Sequence, residues 1–414
     1  AGGAALILGL AAAAAAGPAG AARAAIRPPC CRVLARPEVV GWGSNFEGEL
    51  GNGTAGTSPN LTPMMGLTSS VVQVAAGGGG SLMLTSDGHV WAAGIIHLDP
   101  PENQSDVPVL LPGLTGITQV AASVDTDLAL RSDGTVWAWG NNDNGQLGNG
   151  SIFGSSTPVQ VTGLTGATQI AAGYGWALAL RSDGTVWSWG DNSGGQLGDG
   201  TTSDSDVPVQ VAGLSRVTRI AAGPQEGMAV ALRGFTAQST IYTWGDNSNG
   251  ELGDGTRQDR AVPVPVAGIS VPSVAGIAAG AGFAMVLGTD GTLWDWGAND
   301  YGQLGNGTTN VVIRPAEVRG LDSGITQIAA GGAFALALHA DGTVWAWGND
   351  GAGELGNGTT TGITVANPSP VQVTGLGGVT QISAGDLFGL AIRQAPVISR
   401  PGAAAAAGAT GARS

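Results

Sequence analysis

The sequence predicts an all-β chain: a seven-bladed β-propeller of four-stranded blades, closed by a clasp of N- and C-terminal strands sharing one blade. Three observations carry this. A Trp-Gly pair recurs at Trp42-Gly43, Trp139-Gly140, Trp189-Gly190, Trp244-Gly245, Trp296-Gly297 and Trp347-Gly348, with a worn copy at Trp91-Ala92-Ala93-Gly94, in steps of 46 to 55 residues. Such a step fits one four-stranded blade. Within each unit apolar residues alternate, as strands require, rather than recurring with a helical period. Finally, seven stretches of small residues, opened by Val74, Val120, Ile170, Ile220, Ile277, Ile328 and Ile382, match the seven Trp-Gly strands in number.

Taken in order, residues 1–37 stand outside the repeat as an Ala-rich leader. Ala4 to Ala16 is an apolar run shorter than the roughly 20 residues that cross a bilayer. With Ala19-Gly20-Ala21 as a small-residue cleavage site, it reads as a secretory signal or as a disordered leader. Cys30 and Cys31 are adjacent and would close only a strained ring, so no structural disulfide is expected in the propeller.

The propeller is expected over 38–395, and its unit is clearest from Gly166 to Gly213. Thr168 to Gly173 is an inner strand whose small side chains suit the crowded axis. Ala177 to Leu180 follows, then an Asp183-Gly184 hairpin turn, then Val186 to Trp189, whose large β-formers fill the widening space between blades. After a Gly-Gln-Leu-Gly loop, Val207 to Val211 forms the outer strand, where Pro208 is tolerable because no further strand needs its missing N–H. The chain enters at a third strand (Val39 to Gly43) and leaves after a second one (Phe388 to Arg393), so the end segments must complete one blade together. Residues 396–414 are a low-complexity Ala/Gly tail expected to be disordered.

Composition narrows function. Sixteen basic residues, all Arg, against 30 acidic ones give a net charge of −14, which repels phosphate backbones, so no nucleic-acid partner is expected. No membrane span and no cofactor are expected, and the chain reads as a monomer. His89, His97 and His339 occupy unrelated repeat registers, so neither a catalytic triad nor a metal cluster can be assembled.

If the strands alternate in direction, the loops after the inner strand and after Trp-Gly share one face. That face carries the varied residues: Asp125, Asp127, Tyr174, Trp176, Gln225, Glu226 and Asp386 near the axis, with Phe46, His97, Asp143, Asn192, Asn247, Tyr301 and Asp350 further out. Variation on a fixed scaffold is how repeat proteins build a binding surface. A protein partner is therefore expected here, met by Asp125, Asp127, Tyr174, Trp176, Gln225, Glu226, Tyr301 and Asp386. Competing readings stand beside this one. Phe283, Phe334 and Phe388 share a register and read as packing between blades; Trp176 falls in that register too. The Asn and Asp residues after Trp-Gly read as turn formers. Blade four reads as carrying a local insertion around Glu226. Asp125, Asp127, Glu226 and Asp386 could also converge as the paired acids of a glycan hydrolase.

The stretch Gly134 to Ser151, Gly-Thr-Val-Trp-Ala-Trp-Gly-Asn-Asn-Asp-Asn-Gly-Gln-Leu-Gly-Asn-Gly-Ser, closely resembles the repeat of the regulator of chromosome condensation family. The Gly-Gln-Leu-Gly element recurs with Gln146, Gln196 and Gln303, and with Glu49, Glu251 and Glu354 in the Gln position. The resemblance implies a seven-bladed propeller. It also implies, as an alternative to a binding scaffold, guanine-nucleotide exchange on a small GTPase. This chain departs from that activity: its repeats leave no room for a large wedge, and the family's frequent His is replaced by Gly80, Thr126, Trp176, Phe283, Phe334 and Phe388. A bacterial branch of secreted propellers that bind and inhibit other proteins, β-lactamase inhibitors among them, is similar. An extracellular or cell-surface location is expected on that reading, with a cytoplasmic one as the alternative.

Overall fold

The computed structural model of the protein describes residues 37–97, 103–232, 239–269, 273–321, 324–362 and 365–394. The leader with its cysteines, and the C-terminal tail, lie outside these residues. Seven antiparallel four-stranded sheets are present, each following the order inner, second, third and outer strand. We number the blades by their inner strands: Val71–Ala76, Ile117–Ala122, Ala167–Ala172, Val217–Ala222, Val274–Ala279, Ile325–Ala330 and Val379–Ala384.

Blade 7 is the clasp. Its strands run Ser58–Pro63, Pro37–Gly43, Phe388–Gln394 and Val379–Ala384. Pro37 stands opposite Gln394 and Gly43 opposite Phe388, so the propeller's first and last strands pair over their full length and leave no open edge between them.

The conserved roles of the repeat become physical in the packing. Trp42, Trp139, Trp189, Trp244, Trp296 and Trp347 are fully buried between blades, where each ring removes about 150–250 Å² from water. Most of these indoles also bond to the neighbouring blade. Trp189 Nε1 donates to Gln146 O, Trp244 to Gln196 O, Trp296 to Glu251 O, Trp347 to Gln303 O and Trp42 to Glu354 O. The Gly-Gln-Leu-Gly loop is thus a latch whose carbonyl receives the next blade's tryptophan. In the worn blade 1, Ala93 stands where the tryptophan would, and the Ser81 hydroxyl bonds Glu49 O instead. The Gly-Gln-Leu-Gly sequence does not recur in blade 1, and among the described residues Trp139 Nε1 in blade 2 is buried with no partner.

A second linkage circles the axis. Gln169 on inner strand 3 donates to Ile220 O and accepts from Ile220 N on inner strand 4, at 2.9 and 3.1 Å. Gln73, Gln119 and Gln327 make the same two-way bond to Val120, Ile170 and Ile382. Gln381 accepts from Val74 N, and Ser383 from Ala76 N, across the clasp. Arg219 and Gly276 hold this position in blades 4 and 5.

The expected turn chemistry is present on both faces. Asp133, Asp183, Asp290 and Asp341 each accept from the Thr two residues on, which holds their carboxyls below the usual range. The residue after Asp must turn left-handed, and Gly184 does so at φ +79°. On the other face, Asn192 is buried and accepts from Leu197 N, while its amide donates to Thr201 O and Ser203 O. Asn45, Asn142, Asn247, Asn299 and Asp350 make the same bond to Leu50, Leu147, Leu252, Leu304 and Leu355.

Candidate functional site

Backbone bonds join the two loops of each blade: Asn141 N to Asp125 O, Asp191 N to Gly175 O, Ala298 N to Gly282 O and Ser44 N to Leu387 O. The loops after the inner and third strands therefore share one face. Near the axis the inner loops bond onward to their neighbours, Gly78 N to Ser123 O, Tyr174 N to Pro224 O and Asp386 N to Gly77 O. This crowding explains the glycine that opens most of these loops: a Cβ on Gly77 would lie 2.2 Å from Ser123 O, and one on Gly385 2.4 Å from Gly77 O.

Four residues beyond the inner-strand Ile or Val lies one equivalent position per loop, Gly78, Val124, Tyr174, Pro224, Ala281, Gly332 and Asp386, of which Tyr174, Pro224, Ala281 and Asp386 line the axis. Tyr174 crosses the axis from blade 3 to blade 7, where its hydroxyl donates to Asp386 Oδ1. Burial pushes the Asp386 carboxyl up to about 6. On the same face Val124 and Leu387 of the inner loops and Phe46 of blade 7's outer loop are 36%, 42% and 65% exposed. Gln225 is exposed in the next loop, and Asp125 is partly exposed with Oδ1 buried and unpartnered. Tyr301 is also partly exposed, on the outer loop of blade 5, where its amide is held by Gln303 Oε1.

Three of the residues expected at this surface lie inside instead. Trp176 is 1% exposed and packs between blades 3 and 4, its indole donating to Pro224 O at 2.9 Å. It stands opposite Gly190, as Phe283 stands opposite Gly297 and Phe334 opposite Gly348, so the packing reading holds for this whole register. Glu226 occupies the same register, opposite Gly245, and is buried. Blade 4 thus has no insertion at Glu226; its extra length falls between Leu232 and Ser239. Burial, and after it the charge of Glu251, raise the Glu226 carboxyl well above its ordinary value. Asp127 is buried too, and its Oδ2 lies 3.1 Å from His97 Nδ1.

The four acids offered as a hydrolytic centre consequently occupy separate places. Asp127 and Asp125 lie by His97, Glu226 by Glu251 between blades, and Asp386 on the axis with Tyr174. The His97–Asp127 pair joins blade 1 to blade 2 across 30 residues of sequence, and no local spacing announces it. The Asp125 carboxyl is raised by burial, a shift the nearby His97 opposes.

A family model described as the RCC1-like domain matches residues 30–286, more than half of the chain. The chain belongs to the RCC1-like domain family. The regulator of chromosome condensation (RCC1) repeat matches again at 290–338 and 341–392. Among relatives, a segment of 164 residues is 35% identical to the human E3 ubiquitin-protein ligase HERC2 and one of 130 residues is 38% identical to the mitochondrial RCC1 domain-containing protein RUG3 of Arabidopsis thaliana, covering 38% and 30% of this chain. These matches span only 3% of HERC2 and 29% of RUG3. Human WBSCR16 superposes with a TM-score of 0.76 at 23% identity, over 86% of this chain and 99% of that one. Prp20p of Saccharomyces cerevisiae gives 0.74 at 22%, over 87% and 92%. Both structures share the fold of this RCC1-like propeller. The relatives named are eukaryotic, so they lend nothing to the expected bacterial type.

Proposed function

We propose that this RCC1-like propeller is a non-enzymatic scaffold that holds another protein on its loop face. The observation that carries it is the loop face itself, which exposes Phe46, Val124, Leu387 and Gln225 and leaves Tyr174, Asp386 and Asp125 partly exposed. Exposed aromatic and aliphatic side chains set among polar ones suit a protein partner. RCC1-type structures support the reading: Prp20p has binding properties to Gsp1p and histones, and Prp20 has been solved bound to Kap60. Secretion by a bacterial cell is part of this reading, supported by the apolar run and small-residue site near the N-terminus.

Affinity capture with the full chain tests it. Phe46→Asp combined with Leu387→Asp is expected to abolish capture of a partner, while Asp183→Ser combined with Asp341→Ser, on the opposite face, leaves it intact. Equal capture by both variants would refute the assignment of the face. The exchange-factor reading has the likeness to Prp20p behind it, and predicts faster nucleotide release from a small GTPase.

A further inference from the structure

On the loop face the axis holds a cavity of about 100 Å³. Its wall is mostly the alanines and glycines that end the inner strands, and three polar side chains enter it: Ser123, Tyr174 and Asp386. Ser123 spends its hydroxyl on Thr126 O, and Tyr174 spends its own on Asp386 Oδ1. Among the described residues no donor reaches Asp386 Oδ2 and no basic side chain lines the cavity. A carboxylate thus sits in a confined, low-dielectric place without a counter-charge, on a protein whose net charge is −14. Exposed Leu387 directly follows it, and exposed Val124 lies on the adjoining rim, where a Cβ on Gly78 would touch it.

We propose that the cavity seats one arginine side chain of the partner, its guanidinium paired with Asp386 and laid against the Tyr174 ring, with flanking apolar residues on Leu387 and Val124. The proposal rests on the loop face being the binding face. Arginine fits better than lysine for two reasons. Its planar fork matches a carboxylate and stacks on an aromatic ring, and it sheds water more readily than an ammonium group. One residue so placed would act as an anchor, because a cavity on the rotation axis admits one side chain and surrounds it.

Panning a display library of random dodecapeptides on the full chain tests this. Enriched peptides are expected to share an arginine flanked by apolar residues. Replacing that arginine with citrulline, its neutral isostere, should weaken binding about 10–100-fold, the effect of losing a charge-assisted hydrogen-bonded pair. Asp386→Asn should weaken the arginine peptide to the level of the citrulline one and leave the citrulline peptide unchanged. Tyr174→Phe keeps the ring while freeing Asp386 Oδ1, so it should hold or tighten the arginine peptide. Peptides without arginine, equal binding of lysine and arginine forms, or indifference to Asp386→Asn would overturn the proposal. If such peptides are still released by Leu387→Asp, the face survives and only the axial arginine falls; a library that enriches nothing refutes both.

Discussion

Gly276 occupies the one position of an inner strand where the inter-blade glutamine has been replaced by no side chain at all. Gly276→Gln should therefore rebuild the link from blade 5 to Ile328 of blade 6, by analogy with Gln169 and Ile220. There is room for it: a Cβ at Gly276 meets Ile328 Cγ1 at 3.7 Å and Leu287 Cβ at 3.8 Å, which are ordinary contacts. The backbone there is not left-handed, so a side chain brings no strain. Two partly buried hydrogen bonds contribute about 0.5–1.5 kcal/mol each. Ordering a glutamine opposes them by up to about 2 kcal/mol, and losing a glycine from the unfolded chain adds about 0.4–1 kcal/mol. The net gain is about 1–2 kcal/mol. With an unfolding entropy of about 2.1 cal/mol/K per residue over a propeller of about 360 residues, that raises Tm by about 1.5–2.5 °C. Scanning calorimetry of wild type, Gly276→Ala and Gly276→Gln separates the terms, since alanine supplies only the glycine contribution. Hydrogen exchange should show slower exchange at the Ile328 amide in the glutamine variant alone. If glutamine stabilises no more than alanine, or that amide is unchanged, the two-way bond does not hold blades together as argued.

Three further expectations concern the same inter-blade space. Asp295 is fully buried with both oxygens unpartnered, at the position where Ser188 and Thr243 donate to Leu197 O and Leu252 O. Burial raises its carboxyl well above 3.8, so relative stability is full below that value and lost as pH rises towards the folded-state one. Asp295→Thr should therefore stabilise the protein more at pH 8 than near pH 4 when urea unfolding is compared at the two pH values; an equal effect at both would contradict it. Trp189→Phe strands Gln146 O, whereas Trp139→Phe strands nothing, so urea unfolding should find the first costlier by about 1–2 kcal/mol. Trp176→Ala should cost about 3–5 kcal/mol of stability, as other large buried rings do, and a folded variant with unchanged stability would restore Trp176 to the surface reading.

The propeller is legible in the sequence because each repeat writes the same job in the same residue type. Trp-Gly, the small inner strand and the Asp-Gly turn are each forced by one local constraint, and the clasp follows from counting strands at the two ends. The rim is harder to read. Trp176 and Tyr174 are two residues apart with similar chemistry, yet one points between blades and the other over the axis. Aligning the loops on the inner-strand Ile separates them, since Trp176 falls in the register of Phe283 and Phe334 and Tyr174 in that of Asp386. Glu226 misleads for the same reason: a carboxylate in a packing register looks like a surface acid until its strand partner, Gly245, is known. The His97–Asp127 contact joins neighbouring blades 30 positions apart and needs only their packing, whereas the Tyr174–Asp386 contact joins residues 212 positions apart and needs closure of the ring.

That closure also dictates an order of events as the polypeptide leaves the ribosome. Pro37 to Gly43 emerges early and can pair with Ser58–Pro63, yet its other partner strand ends at Gln394, so that edge must wait while the intervening six sheets are made. Throughout that wait the edge of the first sheet, where Val74 and Ala76 later receive Gln381 and Ser383, has nothing beside it. A nascent chain stalled or clipped short of Phe388 would remain a crescent rather than a circle, offering raw strand edges to other crescents. Quality control of this propeller therefore turns on the strand Phe388–Gln394 that closes it.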